Sequence, residues 1–529
     1  MLRACITGIT CLVFLCGRFR VLEYGTRRRR VKVRCCYLQL LLKFLFLDRS
    51  TIFAQKVFRV VTHHKHGIDA DTFVEGREDR ISKLPDDVIL LIISRLDTRD
   101  AVRTSVMSRR WKHVYTFISE VRLGCCSMST DSTPCRKLEG EKLSQLQRKF
   151  VHAVDAFLKH HSGSRIIYFE LICCFRGCIL DSFSRWMNNV GRWGVKSLII
   201  RYCCHSHVLK RNYPLVLSSD FLPQATSVEC IYLMGGSFQI SSQKALKDLD
   251  LTDVAFTSEA VERLLLNFCS LQSLKLKSCT LPSKLHIHGP DLQLKNLRLF
   301  NCSKVVEIDL SATNLTTFEL FTHRMMTLSF SNVPLLQNLR VDICDHKVAP
   351  YIFGNVAKDL PHLRCMYFWT DARFFEAFEI GGVNKLIHLR QLALVLEYQN
   401  INIDLLALAT ILDLCPLLHK FHISMLLPST FDGKPVEKRV VRPHTQLKEV
   451  DFSGFRGTQN EYNLMWYILK NAVFLERMSI SVDAIYYHVN LEGWQRTHCS
   501  QWDYKKKRRI IRERLQRETI SKDVEILIM

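Results

Sequence analysis

The stretch Leu271–Leu281 reads LQSLKLKSCTL. Leu274 and Leu276 stand two residues apart, so in an extended strand both point to one side, while Lys275 and Lys277 point to the other. The pattern apolar-x-x-apolar-x-apolar that carries this alternation returns many times. Upstream it occurs as VKSLII from Val195, VECIYL from Val228 and LKDLDL from Leu246. Downstream it occurs as LKNLRL (Leu294), LTTFEL (Leu315), LQNLRV (Leu336), LRCMYF (Leu363), LRQLAL (Leu389), LHKFHI (Leu418), LKEVDF (Leu447) and LERMSI (Leu475). Cys279, Cys302, Cys344 and Phe455 each follow three positions after the last apolar residue of their copy, where a side chain can bond the turn.

From Leu246 onward, successive starts differ by 25, 23, 21, 21, 27, 26, 29, 29 and 28 residues. These spacings lie around the 20–29-residue period of leucine-rich repeats. One such repeat cannot bury its own apolar strand face, but a stack of them makes a continuous core. Between Leu294 and Leu336 the motif also occurs at half-period, as VVEIDL from Val305 and MMTLSF from Met325. That spacing leaves no room for a helix and predicts short outer strands or extended turns. Elsewhere the outer side can be helical: SEAVERLLLNFCS has helical spacing at Val261, Leu264, Leu265 and Phe268, with Ser258 as its cap. The alternation places Lys275, Lys277, Arg298, Phe300, Glu319, Phe321, Arg340, Asp342, Tyr367 and Trp369 on the concave face. Aromatics beside charges on neighbouring strands suit recognition of a protein target.

Ahead of the repeats, Leu84–Asp97 reads LPDDVILLIISRLD. Pro85 suits a helix start, and Asp86 and Asp87 complement the positive helix end. Asp97, with Asp100 three residues on, caps a second helix, TRDAVRTSVM. Ser108 caps a third, RRWKHVYTF, with Trp111, Val114 and Phe117 on one side. Three helices in so few residues cannot enclose a large core, so the all-round apolar first helix leaves surface for a partner. The run DRISKLPDDVILLIISRLDTRDAVRTSVMSRRWKHVY resembles the F-box, through Leu84–Pro85, the SRL of Ser94–Leu96, Val106 and the SRRW of Ser108–Trp111. The resemblance implies binding to the Skp adaptor of Skp–cullin–F-box ubiquitin ligases, with Leu84, Pro85, Val88, Ile92, Leu96 and Val106 facing the adaptor or supporting that face.

The irregular repeat spacing is similar to that of plant F-box proteins with leucine-rich repeats. LKEVDFSGFRGTQNEYNLMWYILKNAVFLERMSIS resembles their FBD region, a strand, loop, helix and strand, with a Thr458/Glu461 capping box. The expected architecture is therefore α/β: a small helical F-box, then a leucine-rich-repeat solenoid (horseshoe) capped by an FBD-like region. The expected division is an extension over 1–76, disordered or signal-like, the box over 77–120, and a linker with the solenoid's N-terminal cap over 121–194. The repeats follow over 195–446, and the FBD-like region over 447–529.

The chain has 529 residues, a net charge of +23 and 21 cysteines. Its basic excess concentrates in Arg27–Arg30 and Lys505–Arg509, runs of the kind that form solvated tails. The cysteines are scattered and odd in number, which reads as reduced thiols in a cytoplasmic or nuclear protein. Cys173–Cys174 and the cluster CCHSH (Cys203 to His207) lack the separated halves of a tetrahedral zinc site, and HHKH (His63–His66) lies in an unpatterned segment. No metal and no cofactor is expected. The apolar runs Ala4–Gly17 and Cys35–Leu47 are too short to span a bilayer. They leave a signal or transit segment, a membrane-surface anchor, or an extension outside the folded protein; the last fits the rest of the chain.

No GxxxxGK[ST], HExxH, GxSxG or GxGxxG motif occurs, and His286, His288 and His323 stand apart from any nucleophile in the sequence. The reading is a non-catalytic substrate-receptor subunit that docks a Skp adaptor, and through it a cullin, and selects a protein target. No specific nucleic acid or membrane partner is expected. The alternatives are a repeat scaffold or nucleic-acid-associated protein outside a ligase, and a membrane-attached or secreted protein.

Overall fold

The computed structural model describes residues 84–529 except 107–108, 126–137, 139, 162–165, 174–179, 202–215, 218–226, 236, 239–244, 257–259, 290, 344–347, 372–383, 398–403, 427–442, 489–492, 498–503 and 517–523. The N-terminal extension, the HHKH and CCHSH clusters, the Ser108 and Ser258 caps and Cys344 lie outside the described residues. The chain forms two compact units, one running to Leu123 and including Lys159–Ser164, the other made of Gly124–Leu158 and Arg165–Met529. No helix among the described residues is long and apolar enough to cross a membrane.

In the first unit, α1 (Asp86–Ser94) starts where the Pro85 carbonyl accepts from the amides of Val88 (3.1 Å) and Ile89 (3.0 Å). α2 (Thr98–Arg103) is capped as its sequence requires, the Asp97 carboxylate accepting from the Asp100 amide at 2.8 Å. Two 3-10 segments follow, Thr104–Val106 and Trp111–Phe117. Trp111 is buried, but Phe117 is 56% exposed rather than sharing its side with Trp111 in the core. The chain leaves helical geometry directly after it, at Ile118 (φ −65°, ψ 136°), so Phe117 projects from the end of the element. Arg110 closes the unit on itself, its guanidinium donating to Asp86 Oδ1 at 2.6 Å and 3.0 Å.

The second unit is built on a ladder of strands: β1 (Tyr168–Ile172), β2 (Ser197–Arg201), β3 (Cys230–Met234), β4 (Asp248–Thr252), β5 (Ser273–Lys277), β6 (Asn296–Phe300) and β7 (Thr317–Thr322). It continues through β8 (Asn338–Ile343), β9 (Cys365–Asp371), β10 (Gln391–Glu397), β11 (Lys420–Met425), β12 (Glu449–Ser453), β13 (Arg477–Ser481) and β14 (Glu525–Ile528). Neighbours in space are successive in the chain and pair in parallel. The twelve copies of the sequence motif are β2 to β13. β1 carries the same pattern as IIYFEL from Ile166 within the segment read as a linker. β14 lies within the C-terminal region, so the ladder runs beyond the repeats recognised from sequence at both ends.

The register aligns the leucines into continuous rows. Leu274 stands opposite Leu249 and Leu297, and Leu276 opposite Leu251 and Leu299, all of them buried. Behind the ladder, the half-period motifs form outer strands as their spacing requires. Glu307–Ser311 and Thr327–Phe330 pair in parallel, and a third outer strand, Lys284–His288, joins them. Where the repeat is longer, the helix Ala260–Asn267 fills the outer side with Val261, Leu264 and Leu265 buried, and Phe268 is buried just after it.

The strand exits turn through left-handed backbone, at Asp253 (φ 56°), Ser278 (φ 53°), Asn301 (φ 50°) and Gly454 (φ 71°). The thiol after two of these turns bonds back across a repeat: Cys279 donates to the Leu251 carbonyl (3.3 Å) and Cys302 to the Leu276 carbonyl (3.4 Å). Burial pushes the Cys279 thiol well up, which keeps it a donor. Phe455 takes the same place with a buried ring.

In the C-terminal region β12, the helix Gln459–Asn471 and β13 follow in order, with the Thr458/Glu461 capping box formed. Asn460 ties this helix to an earlier repeat by accepting from the Leu405 amide at 2.9 Å. The basic run Lys505–Arg509 is not a tail. It belongs to the helix Tyr504–Gln516, which buries Ile511 and Leu515 and lays Arg514 over the Tyr462 ring at 4.0 Å. The two apolar residues stand one helical turn apart on the docked side, and Lys507 Nζ adds a hydrogen bond to the Arg456 carbonyl at 2.9 Å.

A Cβ at Gly454 would stand 2.0 Å from the Met425 carbonyl oxygen. Gly454→Ala should therefore lower stability by more than the about 1–2 kcal/mol of left-handed backbone alone. Asn301→Gly, where the same turn already tolerates a side chain, should stay close to neutral. Urea unfolding midpoints of the two variants check this.

Candidate functional site

Two surfaces carry candidate residues, one in each unit. In the first unit, α1 divides its apolar residues between two stripes. Ile89 and Ile93 are fully buried, facing the core that holds Ala101 and Trp111. Leu84, Val88, Ile92 and Leu96 recur every fourth residue along the neighbouring stripe and are half-buried, while Pro85 is exposed. Val106, on the following 3-10 turn, is 76% exposed, and Leu91 is 40% exposed. None of the six residues expected to face or support a partner surface is consumed by the unit's own core. Part-exposed apolar side chain on a small helical unit is the kind of surface on which partners dock.

In the second unit, the face of the ladder opposite the leucine rows carries the residues expected there, and the register sets them side by side. Lys275, Arg298, Glu319, Arg340 and Tyr367 form one row across β5 to β9. Lys277, Phe300, Phe321, Asp342 and Trp369 form the next. The charges pair along the row: Lys275 with Asp250 at 2.9 Å, and Glu319 with Arg340 at 2.8 Å and Arg298 at 3.7 Å. Lys275 also lies 6.0 Å from the centroid of the Phe300 ring.

The expected open exposure of this face is corrected at its aromatic positions. The antiparallel hairpin of Ala484–His488 and Gly493–Thr497 folds onto the ladder. Tyr367 sits beneath it, 6% exposed, with Tyr487 at 6.2 Å and Trp494 at 5.7 Å. Trp369 is half-buried against Tyr486 at 5.5 Å. Arg340 stacks its guanidinium 3.6 Å from the Tyr487 centroid, a cation–π contact that couples the charged row to the hairpin. Polar groups pin the strand in place, His422 Nε2 against the Ile485 carbonyl (3.1 Å) and the Ile485 amide donating to Ser453 Oγ (3.2 Å). Phe300 is 2% exposed and Phe321 half-buried. Alternation within a strand fixes the side a residue takes, but not whether a segment more than a hundred residues later will cover that side.

Between the hairpin and the ladder a cavity of about 740 Å³ remains. Glu319, Arg340, Tyr367, His422, Asp451 and Trp494 contribute to its wall. Burial pushes the His422 pKa down, so the cavity presents a neutral imidazole beside paired charges. His422, Asp451 and Trp494 were missed from sequence. The first two continue the register row of Tyr367, since Ala393 pairs with Tyr367 and His422, and Asp451 with His422. Extending that row would have found them; nothing local marks Trp494.

Family comparisons match both units. An F-box domain covers residues 81–114, and the domain described as "At1g61320/AtMIF1, LRR domain" covers residues 157–519. Among Arabidopsis thaliana proteins, F-box/FBD/LRR-repeat protein At1g13570 is 28% identical over 282 residues, which is 49% of this chain and 61% of that protein. Putative F-box/LRR-repeat protein At3g58880 is 28% identical over 261 residues, 45% of this chain and 55% of that protein. F-box/FBD/LRR-repeat protein At5g53840 is 22% identical over 434 residues, 78% of this chain and 90% of that protein. The chain thus spans little more than half the length of the first two of these relatives.

Asp342, in the second row, is 2% exposed, and neither of its carboxylate oxygens has a hydrogen-bond partner among the described residues. Burial, with the Glu397 charge nearby, pushes its pKa up to about 8. The folded state therefore holds this proton more tightly than the unfolded chain, and stability falls as pH climbs from about 4 to about 8. Asp342→Asn should be more stable than the parent chain at pH 8 and lose less stability between pH 5 and pH 8. Thermal melts at the two pH values check it.

Proposed function

The chain belongs to the F-box family whose members carry the At1g61320/AtMIF1-type leucine-rich-repeat domain, and on that premise we propose that it is the substrate-receptor subunit of a Skp–cullin–F-box ubiquitin ligase. The observation that supports this best is the half-buried stripe of Leu84, Val88, Ile92 and Leu96 beside the fully buried Ile89 and Ile93. In this proposal the stripe, with Pro85 and Val106, docks a Skp-family adaptor and through it a cullin. F-box proteins with leucine-rich repeats are generally non-catalytic, and this chain would act by position: it holds a target beside activated ubiquitin and raises the effective concentration of the target's lysines.

Target selection falls to the open face of the ladder. In this proposal Lys275, Lys277, Arg298, Phe321, Arg340 and Trp369 contact the target, Arg340 and Trp369 beside the hairpin, while the buried Phe300 and Tyr367 support that surface. The domain division given above and a cytoplasmic or nuclear workplace are part of the same proposal. The reading of a repeat scaffold or nucleic-acid-associated protein draws on one observation, the exposed Lys505, Lys506, Arg508 and Arg509 on the helix Tyr504–Gln516.

Affinity purification of the full chain with mass spectrometry separates the two. The ligase reading expects adaptor and cullin to co-purify. Replacing Val88 and Ile92 together by alanine removes apolar contacts worth about 1–3 kcal/mol each, and should weaken adaptor binding at least about tenfold while the protein stays folded. Unchanged adaptor binding by the folded double variant would overturn the docking assignment. Recovery of nucleic acid at low salt, without adaptor, would favour the scaffold reading.

A further inference from the structure

The outer row of the second unit holds a cluster that neither the repeat motif nor ligase docking uses. In the strand Lys284–His288, KLHIH, alternation turns Leu285 and Ile287 into the core and leaves His286 and His288 on the outer side. Parallel pairing with Glu307–Ser311 sets Asp309 directly beside His286. His288 Nε2 lies 2.9 Å from Asp309 Oδ2, and His286 Nδ1 lies 3.8 Å from the same oxygen. One ligand atom from each of the three residues falls within 4.8 Å of the others.

We propose that His286, His288 and Asp309 form a binding site for a divalent transition-metal ion, with Zn²⁺ the ion best suited to it. Two imidazoles and one carboxylate match the three-ligand sets that hold zinc while leaving a fourth position for water or an outside donor. Nitrogen-rich sets of this kind select Zn²⁺, Co²⁺, Ni²⁺ or Cu²⁺ over Mg²⁺ and Ca²⁺. At metal–ligand bonds of about 2.0–2.1 Å, tetrahedral ligand atoms stand roughly 3.3 Å apart. The Asp309–His288 spacing of 2.9 Å is a little shorter than this and the Asp309–His286 spacing of 3.8 Å a little longer, so binding calls for a slight shift of both rings. Both side chains have room for it, at 40% and 47% exposure.

The neighbours are arranged to present the carboxylate. Ser331 Oγ donates to Asp309 Oδ1 at 2.8 Å and leaves Oδ2 turned to the two rings, as an outer-sphere group does at metal sites. Lys284, the cation on the same strand face, is engaged by Glu307 at 2.8 Å and does not compete for Asp309.

Cobalt binding to the full chain under reducing conditions tests the assignment. The chain has 20 histidines and 21 cysteines, so the spectrum must separate this site from others. A His₂Asp site gives visible Co²⁺ ligand-field bands without the near-ultraviolet thiolate charge-transfer band, and Zn²⁺ should displace the ion. His288→Gln and His286→Asn, both at accessible positions, should each delete one thiolate-free equivalent while leaving the thermal melt unchanged. Ser331→Ala should keep the equivalent but weaken it about tenfold. If both histidine variants bind the same number of Co²⁺ equivalents as the parent chain with the same spectrum, the trio is a hydrogen-bonded surface cluster and the proposal fails.

Discussion

A β-strand with one apolar side has no stable existence alone, and the second unit is the consequence of repeating that predicament in register. Each ladder strand places two core side chains between those of its neighbours, as Leu274 and Leu276 lie between the pairs at Leu249/Leu251 and Leu297/Leu299. Full burial of one such side chain stabilises by about 1.5–3 kcal/mol, and each strand depends on both neighbours for it. Parallel pairing follows from the same requirement, because every repeat must return to the same edge to start its next strand. The turn that allows the return is specific: one residue in left-handed backbone, then Cys279, Cys302 or Phe455, the first and last buried and Cys302 half-buried. Where that residue is a cysteine, its thiol also satisfies a carbonyl of the repeat before.

Repeat length then decides what stands behind the ladder. In the short repeats the chain has only a few residues for its return, and it forms a second parallel sheet from Lys284–His288, Glu307–Ser311 and Thr327–Phe330. In longer repeats a helix such as Ala260–Asn267 closes the core instead. The outer sheet has its own alternation, with Leu285, Ile287, Ile308 and Leu310 inside. Its outer positions are thereby aligned across repeats, which is how two histidines of one repeat and an aspartate of the next come to lie side by side.

The opposite face shows how charge and aromatic groups are reconciled at a sheet surface. Glu319 is almost fully buried, yet it lies between Arg298 and Arg340, so its charge is matched within the row. Arg340 is in turn held by the Tyr487 ring. A hairpin from the C-terminal region thus becomes part of a surface whose strands come from the middle of the chain. The first unit resolves its apolar excess differently. Its core takes Ile89 and Ile93 and leaves the adjacent stripe along α1 only half-buried.

The ladder strands β2 to β13, the outer strands after Val305 and Met325, the Asp97 cap, the Thr458/Glu461 capping box and the inward leucines were all legible in the sequence. Each depends on contacts within a few residues or on a period that repeats, and both leave a written pattern. β1 was legible in principle through IIYFEL, and the helix of Lys505–Arg509 through Ile511 and Leu515, where the charge run obscured a spacing already present. The covering of Tyr367, the stacking of Arg340 on Tyr487, the enclosure of Asp342 and the meeting of His286 and His288 with Asp309 had no such record. These join residues 21 to 147 positions apart, as Asp309 lies 21 after His288 and Tyr487 lies 147 after Arg340. Local alternation and periodicity determined which side of a strand each residue occupies; only the stacking of repeats and the return of the C-terminal hairpin decided what it meets there.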